Sequence, residues 1–227
     1  MLKSCTMMKI YLHLPHNDLK TSMMRRIALA IIFAFCTMAL SAQDAIKVNY
    51  TGAKPTISDF AWAFLSTDTD DDEEGYADES FNAVKQAWIR HREGLPQDEY
   101  STLSIDEKNG FVLYEWRYEE NMLRVEMCYW NESDQQHKMF AYNVSCFQND
   151  AYSPGQFDGL TFYRYDNASK VLIYCSDPGF DIEYGTEDGT WVSYDLPRSG
   201  KDITVNYWNG NKKTQKTLKW NGHGFGL

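Results

Sequence analysis

Groups able to do chemistry are plentiful in this chain, but few stand at spacings that a known chemistry demands. The densest run is acidic, Asp68 to Glu74. With Asp68 as the first position of a calcium loop, Asp70, Asp72, Glu74 and Glu79 fall at positions three, five, seven and twelve. Alternating oxygens closed by a glutamate suit a large, hard cation. Glu73 stands where the sharp turn needs glycine, and Gly75 where an apolar residue belongs. The stretch is therefore read as a hydrated acidic loop, with Asp68, Asp70, Asp72 and Glu79 the metal set to check and no cofactor expected. His91, His137 and His223 have no serine, cysteine or carboxylate at a recognisable motif spacing, and neither G-x-S-x-G nor H-E-x-x-H occurs. Only a dyad assembled in space remains open to them. Carboxylates are so numerous that a glycosidase pair has no meaning until a separation is known.

Aromatic residues are the richest feature, at 15% of the chain. A single curved sheet cannot turn them all inward, so two readings stand: one large core, or a core plus a binding face. Trp116, Trp130 and Trp208, strand residues beside charged or Asn neighbours, are the candidates for that face. Cys128, Cys146 and Cys175 sit in apolar runs without C-x₂₋₄-C spacing. Buried thiols and one disulfide both remain open, and a metal site is disfavoured.

The elements that would carry these groups fall into two blocks. Ser58 or Asp59 can cap a helix over Phe60–Leu65. A second helix is expected over about Asp78–Arg92, with Phe81, Val84 and Trp88 on one face and Gly94 and Pro96 ending it. Its acids lie at the start and its bases at the end, as the dipole favours. Beyond Tyr100 the pattern is strand and turn. Asn109-Gly110 separates Leu103–Ile105 from Phe111–Leu113 as a hairpin. Val112, Tyr114, Trp116 and Tyr118 alternate with Leu113, Glu115 and Arg117. Further hairpins are expected around Asp166-Asn167, Pro197–Gly200 and Asn209–Asn211. The fold class is α+β: an N-terminal pair of short helices, then an antiparallel β-meander of about eight strands, curved or barrel-like around them. No βαβ alternation is present.

Ahead of this lies an export signal. Met24-Arg25-Arg26 precedes the apolar run Ile27–Leu40 and then Ser41-Ala42-Gln43. The run is too short to span a bilayer, so cleavage is expected after Ala42, with a cut after Ser41 the alternative, and no stable transmembrane segment after it. Residues 1–42 are thus the presequence, with 1–23 upstream of the expected true start, and 43–227 form one domain. The whole chain has 22 Lys+Arg against 32 Asp+Glu, net −10. Without residues 1–42 the balance is 17 against 31, net −14. Such a surface repels phosphate and argues against nucleic-acid binding. From Arg198 onward the sign reverses, with six bases and one acid; the expected reason is packing against an acidic sheet, with a small-anion site the alternative.

Pro55–Phe60, Asp106–Phe111, Tyr129-Trp130-Asn131, Phe162–Asp166, Leu196–Ile203 and Leu218–Gly222 follow one another in an order that resembles small exported proteins of unknown function from gut-type Gram-negative bacteria. The resemblance implies export and helices-then-strands, and supplies no catalytic residue. The expectation is a non-enzymatic protein- or glycan-binding module, periplasmic or extracellular. The alternatives are a hydrolase-type enzyme with a site assembled in a sheet pocket, and a calcium-stabilised module.

Overall fold

A computed structural model describes residues 45–67, 79–155 and 158–226. The presequence and Asp68, Asp70 and Asp72 of the calcium loop lie outside the described residues; Glu79 is described only through its backbone, as the first residue of a helix. Among the described residues there are two helices, α1 (Ile57–Leu65) and α2 (Glu79–Arg92). The cap of α1 is Thr56, four residues ahead of the expected start at Phe60 and two before the nearer proposed cap, Ser58. Its side chain accepts from the Asp59 backbone, and the Asp59 carboxylate accepts from the Thr56 backbone N–H at 2.7 Å. Asp59 is thus the third helical residue of a capping box. In α2 the expected stripe of Phe81, Val84 and Trp88 is buried.

The strands are β1 (Ala45–Lys47), β2 (Ser101–Asp106), β3 (Phe111–Tyr118), β4 (Asn121–Asn131), β5 (His137–Gln148), β6 (Ala151–Tyr152), β7 (Gly159–Asp166), β8 (Val171–Tyr174), β9 (Trp191–Asp195), β10 (Ile203–Asn209), β11 (Lys212–Trp220) and β12 (Phe225–Gly226). All pairings are antiparallel. They do not form one curved meander, and no barrel closes. An eight-stranded sheet runs β1-β8-β7-β5-β4-β3-β2 with β6 beside β5, and a separate four-stranded sheet runs β12-β11-β10-β9. The larger sheet is open at β1 and β2.

Alternation along each strand explains the split. Val125 and Met127 of β4 face the helices and join Phe60, Phe64, Trp88 and Phe140 in one core. Cys128 and Trp130 point the other way and join Ile203, Val205, Val192, Tyr194 and Phe225 in a second. Both faces of the large sheet therefore bear hydrophobes, and each needs a cover. Helices cover one and the small sheet the other, which is how a chain so rich in rings hides most of them. Among the described residues no disulfide joins Cys128, Cys146 and Cys175 to one another. Among the described residues no helix is long and apolar enough to cross a membrane.

Candidate functional site

The three tryptophans meet different fates. Trp130 is 4% exposed: its indole Nε1 donates to the Lys201 carbonyl at 2.8 Å, and its ring stacks on Trp220 and meets Phe225 edge-on. Trp208 is buried among Met122, Phe147 and Tyr152 and donates to Ser193 Oγ at 2.9 Å. Both fill core with their one polar atom satisfied, so neither is a surface contact. Trp116 is half-buried. It stands where the aromatic face of β3 runs out from beneath the helices, so Val112 and Tyr114 are sealed while Tyr118 is exposed. Trp116 and Tyr118, two residues apart on one face, lie 6.2 Å apart with planes 26° from parallel. Tyr100, opposite them beyond the start of β2, meets Tyr118 edge-on at 5.2 Å. A hydrogen bond with Glu99 raises the Tyr100 phenol above its ordinary value, with burial and the Asp98 charge adding to the rise. Three rings with two carboxylates beside them make a small platform at the open edge of the large sheet.

At the other end of β4 the chain turns through Glu132 to Gln136 and builds a polar node. The Glu132 side chain is wholly buried, and the Arg164 guanidinium of β7 grips both its oxygens at 2.6 Å. A fork-to-fork pair of this kind is the strong form of carboxylate recognition. His223, in the tail between β11 and β12, brings Nδ1 to 3.3 Å from Glu132 Oε2 and Nε2 to 2.7 Å from Ser133 Oγ. The tail is held there by design of its backbone. The amides of His223 and Gly224 donate to Asn221 Oδ1 at 3.0 and 3.1 Å, and Ser133 N–H donates to the Gly222 carbonyl at 2.9 Å. Gly222 has φ +101°, and a Cβ there would meet Ser133 Oγ at 3.1 Å.

Asp134 and His137 complete the turn. Asp134 Oδ1 accepts from the amides of Gln136 (2.8 Å) and His137 (3.0 Å), while Oδ2 lies 2.5 Å from His137 Nδ1. The His137 hydrogen bond, with those amides, pulls the Asp134 carboxyl down to about 2. One ligand atom each from Glu132, Asp134 and His137 lies within 4.8 Å of the others, close enough for a divalent cation. The donor set does not favour one. Arg164 already neutralises Glu132 through both oxygens, and each Asp134 oxygen is committed to the turn. The cluster reads as a self-satisfied staple rather than a metal centre.

Spacing concealed this node. Ser133 and His223 are 90 positions apart and Glu132 and Arg164 32 apart; pairing of β4 with β5 and β5 with β7 brings the second pair together, and docking of the tail between β11 and β12 brings His223 to Ser133. His137 and His223 carried no motif in the sequence; both are hydrogen-bonded to a carboxylate. His91 lies in the last turn of α2, exposed. Comparison with known proteins adds no relative: no family model, curated protein or solved structure matches the chain.

Proposed function

We propose that this is an exported envelope protein that binds glycans through the Tyr100–Trp116–Tyr118 platform. The observation that carries the reading is the near-parallel pair of half-buried Trp116 and exposed Tyr118, flanked by Tyr100, Glu99 and Asp98. Sugar faces present polarised C–H groups that pack on aromatic π-faces, while carboxylates accept from the hydroxyls around the ring. A sugar fits the scale of the platform. Stable protein interfaces bury roughly 800 Å² on each partner, whereas only three rings are gathered here. The surplus of acids across residues 43–227 favours a neutral or cationic saccharide over an anionic one. Export follows from the n-region, apolar run and small residues of the presequence.

Titration of the mature chain with a panel of neutral, cationic and anionic oligosaccharides, followed by tryptophan fluorescence and calorimetry, tests this. A neutral or cationic sugar is expected to bind, with Tyr118→Ala and Tyr100→Ala weakening it about 10-fold or more, the scale of a lost ring contact. Absence of binding across the panel, or full affinity in both variants, overturns the proposal.

A further inference from the structure

The Ser133–His223–Glu132 array carries chemistry that the glycan platform does not use. Three features set it apart from an ordinary surface hydrogen bond. Its atoms run in series, Oγ to Nε2 at 2.7 Å and Nδ1 to Oε2 at 3.3 Å, so one tautomer satisfies both: Nδ1–H donates to the carboxylate and Nε2 accepts from the hydroxyl. Its carboxylate is fully buried and fixed by Arg164, whereas the serine is exposed and the imidazole 57% exposed. Its histidine is locked from two directions, by the Asn221 turn and by docking of the tail, where Phe225 N–H donates to the Pro178 carbonyl at 2.8 Å. A rigid orienting acid below and an accessible hydroxyl above are what nucleophilic activation requires.

We infer that Ser133 is an activated nucleophile for acyl transfer from carboxylic esters, with His223 its general base and Glu132 the positioning residue that holds the imidazole. Ser133 Oγ bonds to the acyl carbon as its proton passes to His223 Nε2. The bond to the alcohol oxygen then breaks, and Nε2 returns that proton to the leaving alkoxide. A water molecule repeats the sequence on the acyl-serine, its proton going to Nε2 and then to Ser133 Oγ, so that a carboxylic acid leaves and the hydroxyl is restored. Exposure of Ser133 and His223 at the surface admits an ester carried on a larger molecule. The negative surface again favours a neutral or cationic carrier. The node and the platform lie at opposite ends of β4, roughly 30 Å apart by strand rise, so each stands or falls alone.

A fluorophosphonate probe tests the inference on the full mature chain. Attack by Ser133 Oγ forms an O–P bond and expels fluoride, and the proton leaves through His223 to solvent. Mass analysis of the intact protein and its peptides is expected to show one adduct, on Ser133. His223→Gln is expected to slow labelling at least 100-fold and to abolish its rise with pH, the scale of a lost general base. For the positioning role, Glu132→Gln is expected to slow labelling and Glu132→Asp to recover part of it. Peptide mapping of the unaltered chain decides the question even where a variant fails to fold. No adduct on Ser133, or an unchanged rate in folded His223→Gln, overturns the inference.

Discussion

Glu126 gives the sharpest test of how the two sheets are packed. It projects from β4 into the space between them, 6% exposed, where Oε2 accepts from Asn143 Nδ2 at 3.1 Å and from the Leu196 amide at 3.2 Å. Burial pushes its carboxyl up to about 7 from an ordinary 4.5; the Leu196 amide, Arg124 and Asn143 pull it back, and the Asp195 charge adds to the rise. The folded chain therefore holds this proton more tightly than the unfolded one. Protonation supports the fold fully below about pH 4.5, and that support is lost as pH climbs through about 7. A rise of about 2.5 units at about 1.4 kcal/mol each makes the whole effect about 3 kcal/mol. Glu126→Gln keeps an oxygen for both donors and removes the ionisation. Urea denaturation of both proteins from pH 4.5 to 8 is the assay, with equal slopes as the check that the same surface is exposed. The stability of Glu126→Gln relative to the parent is expected to grow by about 3 kcal/mol across that interval and then level off. Taking the difference cancels the other carboxylates. Asp106, Asp166 and Asp202, each held low by hydrogen bonds, lose their contribution only as acid pH falls through their lowered values. A difference that does not change with pH would refute the placement of Glu126 between the sheets.

Two further outcomes follow from the same geometry. Arg164→Ala leaves the buried Glu132 carboxylate without its main partner and is expected to cost about 2–3 kcal/mol in denaturant melts, below the usual toll for a buried pair because the guanidinium is itself half-exposed; the double change with Glu132→Gln should recover part of that loss. Thr56→Ala removes one half of the capping box of α1 and is expected to lower stability by about 1 kcal/mol, with Thr56→Ser close to unchanged in the same melts.

Local pattern carried the hairpins and missed the layering. The Asn109-Gly110 signal holds because Gly110 adopts φ +66° and β2 pairs with β3 in the expected place. The connections around Asp166-Asn167, Pro197–Gly200 and Asn209–Asn211 likewise join β7 to β8, β9 to β10 and β10 to β11. Alternation along β4 was equally plain, but it cannot say what covers the second face. Arg124, Glu126 and Cys128 alternate with Leu123, Val125 and Met127 as a mixed side, and the small sheet lies over Glu126 and Cys128. That cover depends on the irregular segment between Tyr174 and Trp191, whose path no period encodes. The same cover decided the candidate face: Trp130 and Trp208 each present an N–H that finds an internal acceptor, and no spacing rule foretells such a partner. Trp116 stays half-buried at the margin of the helix-side core, two residues before the exposed Tyr118.

The reversed charge of the C-terminal segment has a structural cause that needs no anion. β12 pairs with β11 only at Lys219 and Trp220, so the stretch from Lys212 to Leu218 forms an open edge of the small sheet. Lys212, Lys213 and Lys216 project from it, exposed. An open strand is a template for adding another chain, and lysine is the usual guard because pairing would force its charge against a neighbour. Lys219 meets Asp202 at 2.6 Å and Arg198 meets Asp106 at 3.1 Å, so nearby acids take two of the three bases that lie outside the edge. β2, one of the two open strands of the large sheet, bears no lysine along Ser101–Asp106. Its N-terminal end is instead where Tyr100 meets Tyr118. On the proposed reading, this edge without a lysine guard, beside the Tyr100–Trp116–Tyr118 platform, is where a ligand is expected to meet the fold.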